Sequence, residues 1–457
     1  MRDVAGRVRG RPASAGPTAS QAEARGKISP ARAAAFAILT LVGAGKGHSD
    51  ELLHSLRMEA LSPEDRNLAT ALVMGVLRWQ IALDARVAKL LARPGQRLAD
   101  PVALALRLGT FQLLHMDRIP AHAVLNESVE MCRAAGQPHA AGMVNAVLRK
   151  VVAEQPTSQS RDAEHPVHET TEAFAQRLGH PLWLVERWVT AYGRAAALAI
   201  CEYDQHEPGG GAIFSAAEDA TAEQDDEPMP QMDGGSRLVA EIAAAAIPAT
   251  STTGRVWDCC AAPGGKMLVL ARRLEGTEIL ATDVSAKRMA QMRARLGKYG
   301  YSERVSCAVM DAAAEIPRET QFDLILCDVP CSGTGTLARN PEIRLRLRPE
   351  DLARQSARQR AILRGALGRL TVGGRLVYST CSLEREENEA VVEAVTNGAG
   401  VRRISMGSLL ARLADDGVLR REVSERLTRT AVKDGALRTL PGVQGCDGFF
   451  AVVVERE

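Results

Sequence analysis

Val256-Trp257-Asp258-Cys259-Cys260-Ala261-Ala262-Pro263-Gly264-Gly265-Lys266-Met267 runs from an apolar pair, through small residues and a double glycine, into a helical stretch that continues to Leu274. Such a passage is the opening βα unit of an open parallel sheet. The pattern repeats downstream. Candidate strands fall at 256–257, 279–281, 305–309, 322–327, 376–378 and 449–454, and helical segments such as 285–299 and 349–370 supply the crossovers that parallel strands need. The expected architecture is an α/β, Rossmann-like domain with a mostly parallel sheet.

Small residues and paired glycines let backbone N–H groups and a helix N-terminus approach an anionic group. A P-loop would need Gly at 260 and Ser or Thr at 267, where the chain has Cys260 and Met267, and G-x-G-x-x-G is absent. What remains is a cofactor with a carboxylate and a ribose but no phosphate, a description that S-adenosyl-L-methionine meets. Asp283, ending the second strand, suits the ribose hydroxyls, because a carboxylate accepts from both. Asp311, just after the third, is placed to accept from the adenine amino group. Each aspartate alone reads as a turn residue or cap; their occurrence at successive strand ends joins them to one site.

Two cysteines follow later strands: Cys331 in Asp328-Val329-Pro330-Cys331-Ser332-Gly333, and Cys381 in Ser379-Thr380-Cys381-Ser382. The carboxyl ends of parallel strands border one crevice, so two thiols and Asp328 are expected to face one pocket. With a methyl donor there, the thiols become interpretable. C5 of a pyrimidine is a poor nucleophile until a thiolate adds to C6 and generates an enamine. Afterwards the C5 proton must leave and the thiol must be eliminated, which calls for a nucleophile and a separate base. Asp328 can hold a cytosine amine, and Lys266 can stabilise charge developing on the ring. Buried thiols are otherwise small inert hydrophobes, which suffices for Cys132, Cys201, Cys259, Cys260, Cys307 and Cys327.

The 457 residues carry a net charge of +2, with 46% hydrophobic and 25% charged residues, ordinary values for a globular protein. The total argues neither for nor against nucleic acid; the distribution says more. Residues 285–300 hold Lys287, Arg288, Arg293, Arg295 and Lys298 with no acid, and 339–375 hold ten arginines against Glu342, Glu350 and Asp351. These runs read as a basic rim or as solvated helix faces. Nine cysteines in irregular spacing suggest no disulfide framework, and without a C-x-x-C pair no metal is expected. No signal-type core opens the chain, and no unbroken apolar run reaches the roughly 18 residues of a membrane span. A cytoplasmic, reduced protein with no membrane partner is the expectation.

Residues 1–28 read as a disordered tail, 29–153 as an all-α domain, 154–170 as a linker, 171–234 as connecting helices with an acidic Gly-rich loop at 207–227, and 235–457 as the catalytic domain.

Several motifs together resemble the Sun/Nop-type RNA cytosine-5 methyltransferases, in their Fmu/RsmB-like bacterial branch. They are Cys260-Ala261-Ala262-Pro263-Gly264-Gly265-Lys266, Asp328-Val329-Pro330-Cys331-Ser332-Gly333-Thr334-Gly335, Asn340-Pro341-Glu342, Tyr378-Ser379-Thr380-Cys381-Ser382 with Glu386-Glu387-Asn388-Glu389, and Asp447-Gly448-Phe449-Phe450. The helical region resembles NusB, an RNA-binding factor, through Asp65-Arg66, Gly75-Val76-Leu77-Arg78, Leu106-Arg107-Leu108-Gly109, Asp117-Arg118-Ile119-Pro120, Asn126-Glu127 and Val144-Asn145-Ala146-Val147-Leu148-Arg149-Lys150. The resemblance implies Cys381 as nucleophile, Cys331 as the residue assisting product release, and S-adenosyl-L-methionine held by 260–266, Asp283, Asp311 and Asp328.

It also implies formation of 5-methylcytosine in RNA, with 16S rRNA the expected substrate; a monomer is expected. Family members usually insert a small RNA-binding subdomain before the cofactor loop; here 207–227 is too short for one and acidic. The same chemistry on tRNA or another RNA is the alternative, and a NusB-like binding factor with an inactive catalytic domain is the non-enzyme one. A DNA cytosine-5 enzyme would attack with the Pro-Cys thiol, Cys331, and the Thr-Cys motif tells against it.

Overall fold

The computed structural model describes residues 28–93, 95–154, 169–208, 213–214, 232–249, 251, 254–314 and 320–457. Two compact units divide at Pro166/Val167. The expected tail and linker lie, apart from their ends, outside the described residues.

The first unit is helical: α1 (Pro30–Gly43), α2 (Pro63–Leu90), α3 (Asp100–His115), α4 (Ala121–Ala134) and α5 (Ala141–Ala153) are its main elements. Ser62 caps α2, its Oγ accepting from Asp65 N at 3.1 Å, and Pro63 takes the first helical position, where its missing N–H costs nothing. Leu72, Val73, Val76, Leu106, Val124 and Leu148 are fully buried. Arg32 reaches this interior paired with Glu127 at 2.9 Å and Gln112 at 2.6 Å. By length and composition α2 is apolar enough to cross a membrane. Arg78 and Asp84 interrupt it, so a search for unbroken apolar runs passes over it. Its buried face packs on α1 and α3, the placement of a core helix.

The second unit is built on a nine-stranded sheet: β1 (Arg255–Asp258), β2 (Glu278–Asp283), β3 (Val305–Val309), β4 (Phe322–Asp328), β5 (Leu370–Thr380), β6 (Val401–Arg403), β7 (Val432–Lys433), β8 (Ala436–Arg438) and β9 (Phe450–Arg456). Strand order is β3-β2-β1-β4-β5-β9-β8-β7, with β6 also on β9. The first five are parallel and β9 is antiparallel to β5. A sheet covered on both faces needs apolar side chains on both, and successive residues alternate as the pleat demands. Val256, Leu324 and Val453 enter one core, while Trp257, Ile325 and Val452 enter the other.

Helices α6 (Leu182–Tyr192), α7 (Arg194–Tyr203), α8 (Gly234–Ala245), α9 (Gly265–Arg273), α10 (Ala286–Lys298) and α11 (Pro349–Leu367) accompany the sheet. Residues 181–201 read as one helical stretch, but Gly193, at φ +83°, breaks it into α6 and α7. Strand β5 starts at Leu370 rather than 376, and the short β6, β7 and β8 escape the hydropathy pattern. Within the acidic stretch, Ile213 and Phe214 are buried; Phe214 bridges to Leu419 and carries the Arg237 guanidinium 3.9 Å from its ring centre. The rest of that loop beyond Pro208 lies outside the described residues.

Strand order reverses between β1 and β4: β2 and β3 extend to one side, β5 to the other. Ligand crevices open at such a point. Asp258, the last residue of β1, is 1% exposed, and burial, followed by the nearby charge of Asp328, pushes its carboxyl from 3.8 up to about 8.

The native chain thus holds a proton on Asp258 that the unfolded chain has released. The associated stability is complete below about pH 4 and is lost as the pH rises through about 8. Asp258→Asn is therefore expected to gain stability relative to the wild type across that window. Urea unfolding at both ends of it, with an unchanged difference, would refute the placement. In the helical unit, a Cβ on Gly75 would sit 1.9 Å from Phe111 Cζ. Gly75→Ala is expected to cost about 1–3 kcal/mol through overpacking, read as a lower midpoint in thermal unfolding of the full chain.

Candidate active site

The loop leaving β1 is strapped between its neighbours: Cys259 N donates to Leu326 O at 3.0 Å and Ala261 N to Thr282 O at 2.9 Å. Gly264 closes it at φ +95°, where a Cβ would meet Met292 Cγ at 2.5 Å, so both backbone and space call for glycine. Helix α9 begins at the next residue. Cys260, Ala261, Ala262, Pro263, Gly265 and Lys266 line a cavity of about 160 Å³ together with Asp258, Asp328, Ser236, Met232 and Arg295.

Asp283 and Asp311 stand outside that lining, beyond β2 and β3. Asp283 is buried, and its Oδ1 accepts from Ser285 N at 2.8 Å and Arg288 at 2.9 Å. Its Oδ2 has no hydrogen bond among the described residues. Asp311 is exposed, its Oδ1 accepting from Ala313 N at 3.0 Å. Asp328, the β1 loop, Asp283 and Asp311 thus follow one another along the carboxyl ends of β4, β1, β2 and β3. Three strand intervals span about 14 Å, room for an elongated nucleoside–amino acid conjugate. The free Asp283 oxygen fits a diol and the helix N-terminus a carboxylate, so the residues present fit S-adenosyl-L-methionine.

Within the cavity lining, Lys266 Nζ lies 2.7 Å from Asp328 Oδ2 and 2.9 Å from Ser236 Oγ, and it stands 5.1 Å from the centre of the Phe449 ring. Burial lowers the affinity of this ammonium for its proton, but the Asp328 carboxylate more than offsets it, and the net shift is upward. Ser379 Oγ donates to the other Asp328 oxygen at 2.8 Å.

Cys331 and Cys381 come together with a sulfur–sulfur distance of 3.3 Å, both half-buried and both free thiols. The hydrogen bond to Cys381 and then burial hold Cys331 well above the usual thiol range. The second loop is anchored through its backbone. Gly335 N donates to Cys381 O at 2.8 Å, and Gly448 N to Gly335 O at 2.7 Å. A Cβ on Gly335 would fall 2.2 Å from Gly448 O.

Several contributors have no role assigned from the sequence, although Ser379, Glu387, Asn388 and Phe449 fall inside the motifs that carry the resemblance. Ser236, Ser379 and Phe449 surround the Lys266–Asp328 pair. Glu387 and Asn388 sit behind the thiols, inside an acidic run that looks like an exposed helix start. Trp188 packs, 1% exposed, and donates to Glu384 at 3.0 Å, while Trp183 is half-buried on a neighbouring groove. Cys259, Cys260 and Cys327 form a separate thiol cluster beneath the loop, with Cys259 and Cys327 3.3 Å apart. Among the described residues no group of three or more His, Cys, Asp or Glu side chains is arranged to hold a metal ion.

Residues 246–454 match the family model described as 16S rRNA methyltransferase RsmB/F, and residues 29–153 match the NusB family. The probable ribosomal RNA small subunit methyltransferase B of Bacillus subtilis is 31% identical over 444 residues, covering 89% of this chain and 94% of its own. The ribosomal RNA small subunit methyltransferase B of Vibrio cholerae is 29% identical, covering 93% of this chain and 97% of its own. The crystal structure of PH0851 shares the fold, with a TM-score of 0.68 at 20% identity over 94% of this chain and 99% of that one. The switch-point crevice and the match along nearly the whole relative lead to one conclusion: this chain belongs to the ribosomal RNA small subunit methyltransferase B family of S-adenosylmethionine-dependent rRNA methyltransferases.

Proposed function

We propose that the protein methylates C5 of a cytosine in 16S rRNA, with Cys381 as nucleophile and Cys331 as the base that allows release. The observation that carries this reading is the 3.3 Å approach of two free thiols beside the Lys266–Asp328 pair. The 260–266 loop, Asp283, Asp311 and Asp328 would hold S-adenosyl-L-methionine, which when bound supplies an electrophilic methyl group.

The chain's own residues account for the remaining steps. The Cys381 thiolate adds to C6 of a base that is single-stranded or flipped out of its stack. Asp328 accepts from the exocyclic amine, and the Lys266 ammonium faces the negative charge that the ring develops. Cys331 keeps its proton while a thiolate lies against it, since that contact is the main cause of its raised pKa. Once the Cys381 sulfur is bonded to carbon, that contact is gone, leaving burial and Glu387 as the causes that hold the thiol up, and Cys331 acts after giving its own proton to solvent. It then takes the C5 proton, the C5–H electrons re-form the C5–C6 double bond, and the sulfur–carbon pair returns to Cys381 as thiolate.

The helical unit and the exposed arginines of 339–375, such as Arg348, Arg358 and Arg364, would carry the phosphate contacts that a short, acidic 207–227 does not supply. Arg344 and Arg369, by contrast, are buried, and Arg339 and Arg375 are paired with carboxylates. The acidic stretch is also the reason to keep a second substrate, tRNA, in the test. We place the protein in the cytoplasm, working as a monomer.

Cys381→Ala is expected to lose methyl transfer by about a thousandfold or more while still binding cofactor, checked by calorimetry beside a tritium-transfer assay; full activity would sink the nucleophile assignment. Cys331→Ala should permit attack but slow release, leaving protein attached to RNA on a denaturing gel. A free band with activity retained would argue against its role. Bisulfite sequencing of RNA from cells with and without the gene should show one 16S cytosine losing protection. Loss confined to tRNA would keep the chemistry and change the substrate.

A further inference from the structure

Glu387 has no assigned part in the chemistry, yet it is fully buried directly behind both thiols. Its Oε1 accepts from Ser332 N at 2.9 Å and Gln359 Nε2 at 3.0 Å; its Oε2 accepts from Ser382 Oγ at 2.5 Å and from Ser332 Oγ. No lysine or arginine pairs with it among the described residues. A buried carboxylate without a cation is costly unless several donors replace its water, and here the donors are Gln359 and the residue after each cysteine. Tyr378 Oη donates to the Glu387 carbonyl at 2.5 Å and fixes its backbone.

We infer that Glu387 is a positioning residue that clamps the two cysteine loops together and so sets the separation of their thiols. The clamp is asymmetric. On the Cys381 side, Asn388 Nδ2 also holds Ser382 O at 2.8 Å and Thr380 Oγ1 holds Ser382 N at 3.1 Å. Farther along the Cys331 loop, Gly335 N donates to Cys381 O at 2.8 Å and Thr334 Oγ1 accepts from Leu383 N at 2.9 Å, so the loops also meet beyond the segment that carries Cys331. On the Cys331 side, Ser332 makes both its polar bonds to Glu387, apart from the 3.0 Å contact between the two serine hydroxyls. Gln359, which grips Pro330 O at 2.9 Å, is itself oriented by Glu387. Loss of the carboxylate therefore frees Cys331 first and leaves Cys381 seated. Combined with the reading above, on which this second consequence rests, attack should survive and release should fail.

The test is Glu387→Met in the full chain, with Glu387→Gln beside it. Folding is verified by circular dichroism and cofactor binding. In the first assay diamide, an azo oxidant, takes one hydrogen from each thiol to give a hydrazine and the disulfide. Peptide mapping then follows the Cys331–Cys381 link. Glu387→Met should form it about tenfold more slowly, the scale expected when reacting atoms lose their alignment. Glu387→Gln should stay near the wild-type rate, because its carbonyl still faces Ser332 N–H while both serine hydroxyls can turn to accept. A wild-type rate in folded Glu387→Met overturns the clamp.

In the second assay, Glu387→Met incubated with RNA and S-adenosyl-L-methionine should accumulate the covalent protein–RNA band. A slowed disulfide without that band keeps the clamp and overturns the release role of Cys331 instead. Should Glu387→Met not fold, Ser332→Ala removes one donor from the Cys331 side only and carries both expectations at smaller amplitude, with a wild-type disulfide rate again the refuting result.

Discussion

The ion pair between Lys266 and Asp328 joins the two strands between which the sheet changes direction, and the rest of the site is arranged around it. Lys266 opens the helix that follows β1, and Asp328 ends β4. With side chains 13% and 26% exposed, the pair lies between a surface bridge, worth about 0–1 kcal/mol, and a buried one, whose breakage costs about 3–5 kcal/mol. Its larger effect is on its neighbours. Asp328 keeps Lys266 charged, and the same negative charge, added to burial, keeps Asp258 neutral at ordinary pH. Two carboxyl groups at adjacent strand ends thus have different tasks because their surroundings differ.

Proximity of thiols alone does not mark chemistry. Cys259 and Cys327 are as close as Cys331 and Cys381, at 3.3 Å in both cases. The first pair, however, is buried: the hydrogen bond with Cys260 lowers Cys259, but Cys327 and burial outweigh it, and burial raises Cys327 against the lowering hydrogen bond from Cys259. The second pair is half-buried, beside a fixed ammonium–carboxylate pair. What separates the two thiols proposed to react from the packing ones is access and the charge around them.

The parts of the fold and site that were legible in the sequence were those encoded locally. Strands with both faces buried appear as apolar runs, glycine at a left-handed corner appears as Gly264, and Ser62-Pro63 announces a helix start. Each depends only on residues a few positions apart. The short strands β6, β7 and β8 hold two or three residues each and take their conformation from β9, which no local window can register. Glu387 is hidden for a related reason. It falls inside a motif of the resemblance, but locally that motif is an acidic run of the kind that solvates a surface, and its burial follows from Ser332, 55 positions away, and Gln359, 28 away. Phe449 likewise reads as a strand residue and becomes the face under Lys266 only through the antiparallel pairing of β9 with β5.

That pairing has a consequence in time. A chain leaves the ribosome N-terminus first, and Gly448, Phe449 and β9 follow every other residue of the site in sequence. Until they emerge, Gly335 lacks the backbone that closes over it, Lys266 lacks its aromatic wall, and β5 has an open edge. The helical unit, by contrast, is complete three hundred positions earlier. During its own synthesis the protein passes through a long interval in which the helical unit can fold while the thiols are unassembled. Chain order thus sets an order of assembly, with the residues of the helical unit complete first and the two thiol loops acquiring their last partners only with β9.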